Sequence, residues 1–141
     1  MAEGILKEKL SRLNIPAEVD SCGFESFHAG DPPDSRAIAI SKTYGVDISR
    51  HRARLFTQMD IAHYTHIFVM DDTHYRKIKN MVSEKSDLMK VDYVMNAVYP
   101  ESNLPVPDPW YDDLNAFKDV FQMLDNACEG IIKLNFPQNV L

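Results

Sequence analysis

With 141 residues, 45% of them hydrophobic and 26% charged, the chain has the size and balance of one globular domain with a core of its own. A net charge of −6 and a pI near 5.3 argue against a general nucleic-acid binder, which needs a basic face for phosphates. No apolar run approaches the roughly 18 to 20 residues of a membrane helix, and two cysteines, Cys22 and Cys128, are too few for a disulfide framework.

Ile5, Leu6, Leu10 and Leu13 stand among charges at helical spacing over 2–13. Glu3, Lys7 and Glu8 interrupt them too often for a signal peptide, and with so few cysteines a reducing cytoplasm is the expected location. After Pro16, AEVDS (17–21) predicts a short strand. CGFESFHAGDPPD reads as loop, with Asp34 as N-cap of a helix over SRAIAISKTY and Gly45 as its stop. Thr57 and Asp60 have capping-box spacing ahead of IAHY and predict a short helix. THIFVM (65–70) is a compact run of β formers, expected as a strand buried on both faces. DDTHYRKIKNMV predicts a helix capped by Asp71 or Asp72, and VDYVM (91–95) a third strand. Leu114, Phe117, Phe121, Leu124, Cys128, Ile131 and Ile132 mark one face of a helix over about 112–134.

The order α-β-α-α-β-α-β-α implies an α/β domain with a parallel sheet. A leading helix is out of place, because a parallel crossover feeds each helix from a strand. Three strands also make a thin sheet for this much helix. A strand is therefore expected to be missing in front of Met1.

Ligands of open α/β sheets sit beyond the C-terminal strand ends. The segments reaching that edge bring Ser21, Phe27, His28, Asp71, Asp72, His74, Asp108, Trp110 and Tyr111. In PVPDPWYDD (105–113) three prolines bracket Asp108, and Val106 and Asp108 both precede a proline. Such backbone is stiff, so a carboxylate is held at a set angle beside two rings. It suits a proton donor at the lip of a cleft, or equally a turn aspartate that accepts backbone N–H groups.

No nucleophile is obvious. A phosphatase thiolate needs a loop of N–H groups and an arginine six positions on. Six after Cys22 stands His28, and Cys128 falls on the apolar face of the last helix; both cysteines read as small hydrophobes. His63 and His66, with His51 and His74, lack zinc spacing, and no metal site is expected. RHRAR (50–54) is a basic cluster that either binds phosphate or combines a solvated turn with one buried, paired arginine.

Six segments, in order, together resemble the low-molecular-weight protein tyrosine phosphatase family: MAEGIL, VDSCGF, HAGDPPDSRA, GVDISRHRARLFT, FVMDDTH and VPDPWYDD, over residue 1 to about 134. The resemblance implies a three-layer α/β/α fold with a short parallel sheet, in a single domain over 1–141. It implies hydrolysis of phosphotyrosine proteins or small aryl phosphates through a cysteinyl-phosphate, with phosphate or another oxyanion as ligand and no cofactor or metal. Asp108 matches the general acid and later base, and Trp110 and Tyr111 the paired aromatics of the cleft wall. Phe27 falls on the opposite wall. Ser21 matches a serine supporting the phosphate loop, His51 lies within one position of a histidine of similar role, and Arg54 matches a structural arginine. Cys22 falls where the family has alanine.

One departure is large. The family's nucleophile and phosphate-binding arginine lie in a C-x5-R loop followed by Ser or Thr and Pro, and Met1 matches the next position. The sequence is thus expected to start after the catalytic loop and to omit the first, interior strand. The chain as it stands is then expected to be inactive, with a strained sheet or a strand swapped between self-associated copies. Three readings follow: a tyrosine phosphatase whose sequence starts here at an internal methionine, a pseudophosphatase or partner-binding module that has lost the loop, and, last, an arsenate reductase, for which neither Cys22 nor Cys128 is well placed.

Overall fold

The computed structural model describes residues 1–140. Helix α1 (Ala2–Arg12) buries Ile5 and Leu10 and carries the Glu3–Lys7 and Glu8–Arg12 pairs one turn apart. Helix α2 (Ser35–Thr43) opens with the Arg36 N–H donating to the Asp34 carboxylate at 2.8 Å. It stops ahead of Gly45, whose φ of +79° is the left-handed conformation that glycine adopts without strain. Helix α3 (Gln58–His63) has the expected capping box, with the Thr57 N–H donating to Asp60 at 2.8 Å. Asp71 rather than Asp72 caps α4 (Asp72–Met81), accepting from the His74 N–H at 3.0 Å.

The sheet is smaller than the sequence suggests. Strands β1 (Ile67–Val69) and β2 (Val91–Tyr93) run parallel, in the register Ile67 to Val91, Phe68 to Asp92 and Val69 to Tyr93. Between them lies a single-turn helix, α5 (Lys85–Leu88), which short-range spacing did not reveal. The predicted strand at 17–21 forms no ladder; only Gly23 makes a parallel bridge, to Leu55. VDYVM is strand for three residues and then tightens into a 3-10 turn, Val94–Ala97.

The reason for the lost strand is visible beside it. A cavity of about 330 Å³ separates residues 17–22 from β1, lined by apolar side chains that include Leu6, Val19, Phe24, Phe68 and Ile78. A strand needs a neighbour at about 4.8 Å to pair with, and across this gap neither wall finds one. For the same reason β1 is not buried on both faces: Val69 is buried, whereas Ile67 and Phe68 are only half-buried.

Two apolar clusters flank the sheet and give three layers. On one side α1, α2 and the long helix α6 (Leu114–Asn135) enclose Ile5, Ile40, Val94, Phe117, Phe121 and Leu124. On the other, α4 packs Ile78 against Val69, Val91 and Tyr93. The Tyr93 hydroxyl also donates to Asp72 of α4, and that bond pushes its pKa up to about 12. The apolar face of α6 is the one its spacing predicts, except that Leu114 is 51% exposed on the first turn, ahead of the stretch that reaches the core.

Gly130 lets α6 approach the 94–97 turn. A Cβ there would lie 2.2 Å from the Ala97 carbonyl oxygen, a backbone atom that cannot swing aside. Glycine to alanine inside a helix ordinarily gains up to about 1 kcal/mol. Here Gly130→Ala is expected to reverse that sign and destabilise by roughly 1–3 kcal/mol, the cost of overpacking, as measured by urea unfolding.

Candidate active site

The loop carrying Asp108 is fastened at both ends. The Val106 N–H donates to the Met70 carbonyl at 2.8 Å, tying the loop to the end of β1, and Val106 and Pro109 are buried. The Asp112 N–H closes a turn onto the Pro109 carbonyl at 2.8 Å. Between these anchors Asp108 is exposed, and its carboxylate accepts the Trp110 N–H at 3.1 Å. The turn role and the exposed acid therefore coexist: one oxygen orients the side chain and the other is free of protein partners among the described residues.

Arg36 completes the fastening. Its guanidinium donates to the Trp110 carbonyl at 2.9 Å and the Asp112 carbonyl at 2.8 Å. Asp34 holds it in place with two further bonds, at 3.0 and 2.9 Å, and the Phe117 ring lies 4.5 Å beneath it. The hydrogen bonds from Arg36 in turn hold the Asp34 carboxyl below its usual range. Asp34 thus caps α2 and orients the clamp on the acid loop. Sequence reasoning found the cap and missed the clamp, because the partners of Arg36 lie more than seventy residues away.

Of the predicted aromatic residues, Phe27 and Trp110 are linked through His28 and Tyr111 is not. Phe27, 73% exposed on the 3-10 turn Ser26–His28, has its ring centroid 4.3 Å from His28, which lies 6.1 Å from Trp110. Phe27, His28 and Trp110 so form one continuous rim. Tyr111, at 95% exposure, stands off it in solvent.

Ser21 and His51 are brought together by a third residue that the sequence had not singled out. The Ser21 hydroxyl donates to Glu3 at 3.0 Å and lies 3.5 Å from the His51 Nε2, while the His51 Nδ1 is 3.5 Å from the other Glu3 oxygen. Glu3 looked like one more charge on the outer face of α1; only the fold folds it inward. Ser21 and Met70, the anchor of the acid loop, both border the same cavity.

Arg54 takes the structural option. It donates to both oxygens of the buried Asp60 at 3.0 and 2.9 Å and to Asp20 at 3.0 Å, which raises its pKa further. Burial alone would raise the Asp60 carboxyl, but the bonds from Arg54 and from the Thr57 N–H outweigh it and hold it low. Arg50 and Arg52 are exposed. Cys22 is open to solvent yet its thiol borders the apolar cavity, whose desolvation pushes its pKa up to about 11. Burial takes Cys128 to about 12. Both shifts disfavour the thiolate that nucleophilic attack requires. The histidines disperse: His63 pairs with Glu18 at 2.8 Å, His74 lies beside Asp71 at 3.4 Å, and His66 is exposed.

Fold and site together define a three-layer α/β protein with an acid loop at the C-terminal edge of its sheet. The chain belongs to the low molecular weight phosphotyrosine protein phosphatase family, whose family model matches residues 1–138. It is 28% identical over 136 residues to the low molecular weight phosphotyrosine protein phosphatase of Schizosaccharomyces pombe, covering 94% of this chain and 86% of that one. A putative low molecular weight protein-tyrosine-phosphatase of Synechocystis is 30% identical over 133 residues, covering 93% and 84%. In structure it is similar to a protein tyrosine phosphatase from Entamoeba histolytica, with a TM-score of 0.87 at 26% identity, over 97% of this chain and 88% of that one. No helix among the described residues is long and apolar enough to cross a membrane.

Asp60 binds its proton less readily in the fold than in the unfolded chain. Its stabilisation is therefore full above the unfolded carboxyl value near ~3.9 and is lost as pH falls through the lower folded value. Asp60→Asn is expected to cost about 2 kcal/mol at pH 7, a buried pair discounted for the partial exposure of Arg54, and to flatten the acid limb of a stability–pH curve. Arg36→Ala is expected to free the acid loop, raising acrylamide quenching of Trp110, the single tryptophan; Arg36→Lys should not restore it, because an ammonium lacks the fork.

Proposed function

We propose that this domain serves the hydrolysis of phosphotyrosine-type aryl phosphate monoesters, in a protein that also carries a Cys-x5-Arg loop. The observation that carries the reading is Asp108, exposed on a loop pinned by Met70 and Arg36 beside an aromatic rim. In the proposed cycle a cysteine thiolate attacks phosphorus and the P–O bond to the phenol breaks, with Asp108 giving its proton to the departing oxygen. The Asp108 carboxylate then takes a proton from water as it attacks the cysteinyl-phosphate, releasing phosphate and the thiolate. Phe27 and Trp110 would flank the aryl ring, with Tyr111 closing on bound substrate. Ser21, held by Glu3 and His51, would support the phosphate loop from behind.

The nucleophile and phosphate arginine of this scheme are not among the 141 residues, since neither Cys22 nor Cys128 has an arginine six positions on. A second reading is a pseudophosphatase or partner-binding module of the same fold, in which no such loop accompanies this domain. The apolar cavity beside β1 supports the expectation that a further strand belongs to the phosphatase form.

Residues 1–141 alone are expected to give no vanadate-sensitive turnover of p-nitrophenyl phosphate. Clear turnover that disappears in Asp108→Asn would show that a nucleophile exists here after all. The gene upstream of the Met1 codon separates the two readings: an in-frame Cys-x5-Arg-Ser-Pro supports the phosphatase, and a stop codon or unrelated sequence supports the binding module.

A further inference from the structure

We propose that His28, oriented by Asp31, is a specificity-determining residue that receives the side chain of a Lys or Arg adjoining the phosphotyrosine of a peptide substrate. The inference rests on the phosphatase reading for the identity of that ligand, while its test needs no nucleophile.

His28 ends the 3-10 turn Ser26–His28 and joins the two aromatic residues of the rim. Its Nδ1 lies 3.3 Å from the Asp31 carboxylate. Asp31 is itself fixed. Its N–H donates to the His28 carbonyl at 2.9 Å, its carbonyl accepts the Ala53 N–H at 2.9 Å, and the Gly30 N–H beside it donates to the Ala53 carbonyl at 2.7 Å. An ionised carboxylate only accepts, so it holds the imidazole proton on Nδ1 and leaves Nε2 as an acceptor. Nε2 has no partner among the described residues, and the side chain is exposed. Holding an exposed side chain in one orientation costs rotamer freedom, and a group set in advance binds its ligand without that cost.

The surrounding charge selects the donor that Nε2 accepts from. Segments 23–34 and 105–113 carry Glu25, Asp31, Asp34, Asp108, Asp112 and Asp113, and no Lys or Arg. Two cationic side chains reach these segments, and both are committed. Arg36 holds Asp34 and the carbonyls of Trp110 and Asp112, and Lys77 lies 3.9 Å from Glu25 and 5.2 Å over the Phe24 ring. The carboxylates alone define no site; the fixed Nε2 supplies the point of contact. An acidic flank meets a lone pair among like charges and is repelled. A neutral hydroxyl or amide can donate to Nε2 but gains nothing from the carboxylates, whereas a Lys or Arg gains from both. Phe27 and Trp110 flank the aryl ring in the proposed function, and their rings lie 4.3 and 6.1 Å from His28. The residue next to that tyrosine has its Cα only about 3.8 Å away, which brings its side chain within reach of His28.

The test uses the 141-residue chain and two short capped peptides, each with one unphosphorylated tyrosine, flanked in one by lysines and in the other by glutamates. Both are titrated at low ionic strength, where a charge preference is least screened, and the His28 ring and Trp110 indole signals are followed by NMR. The lysine peptide is expected to reach its midpoint at a concentration at least about tenfold lower than the glutamate peptide. In His28→Ala, read at Trp110, that ratio should fall below about threefold. Asp31→Ala is expected to move the His28 proton from Nδ1 toward Nε2, as read in the ring nitrogen shifts, and to lose the preference with it. Both variants change exposed side chains. Equal midpoints on the unaltered chain overturn the proposal. So does a tenfold ratio that survives His28→Ala, which would assign the preference to the carboxylates alone, and an unmoved tautomer in Asp31→Ala removes the positioning role of Asp31. p-Nitrophenyl phosphate has no flanking residue. Its failure to turn over in a gene product that carries the Cys-x5-Arg loop would sink the phosphatase reading alone, and the midpoints would still decide the selectivity of the rim.

Discussion

Three parallel residue pairs, Ile67–Val69 against Val91–Tyr93, are the hinge on which the whole arrangement depends. Backbone groups inside a protein must be paired, and this ladder is the only one the chain closes among its described residues. Each neighbouring element is placed by its relation to it. Helix α4 follows directly from β1 through the Asp71 cap, and the 94–97 turn follows β2 and lies against α6 at Gly130. The acid loop hangs from the carbonyl of Met70, one residue past β1. A ladder this short gives little intrinsic stability. The helical layers carry that burden, above all the buried face of α6 from Phe117 to Ile132.

The same constraint divides what was legible in the sequence from what was not. Caps and periodicities are local, and Asp34, Thr57 with Asp60, Asp71 and the α6 stripe stand where residue spacing puts them. The strand at 17–21 failed because a strand is a relation between two segments, and β propensity cannot say whether the second is present. Val94 and Met95 failed for a different reason: both are buried, but they bury against α6 from a 3-10 turn. An apolar run alone does not distinguish these outcomes.

Around the candidate site, the sequence singled out residues with an unusual local setting and passed over those whose contacts are long-range. Three prolines around Asp108 are a local signal, and the loop is as anchored as they suggest. Arg36 and Glu3 carry no such mark. Each sits in an ordinary helix, and each becomes important only when folding delivers carbonyls from 110 and 112, or a hydroxyl from 21 and a ring from 51. The resemblance to a family singled out Ser21 and His51 but not Glu3, the carboxylate that lies between them.

Placement of the acid loop and of the Glu3–Ser21–His51 group also links the cavity to the proposed chemistry. Met70 and Ser21 both line that cavity, one from the β1 side and the other from residues 17–22. A strand entering between them would pair with both walls and fix their separation. It would thereby set the distance between Asp108, anchored through Val106 on Met70, and the polar group centred on Ser21. A general acid must reach hydrogen-bond distance of its leaving group, and an error of 1 Å in such placement can cost about a hundredfold in rate. Pairing across the cavity is therefore more than a matter of stability. The backbone bonds that would complete the sheet are also the bonds that would bring the acid into register with a phosphate site.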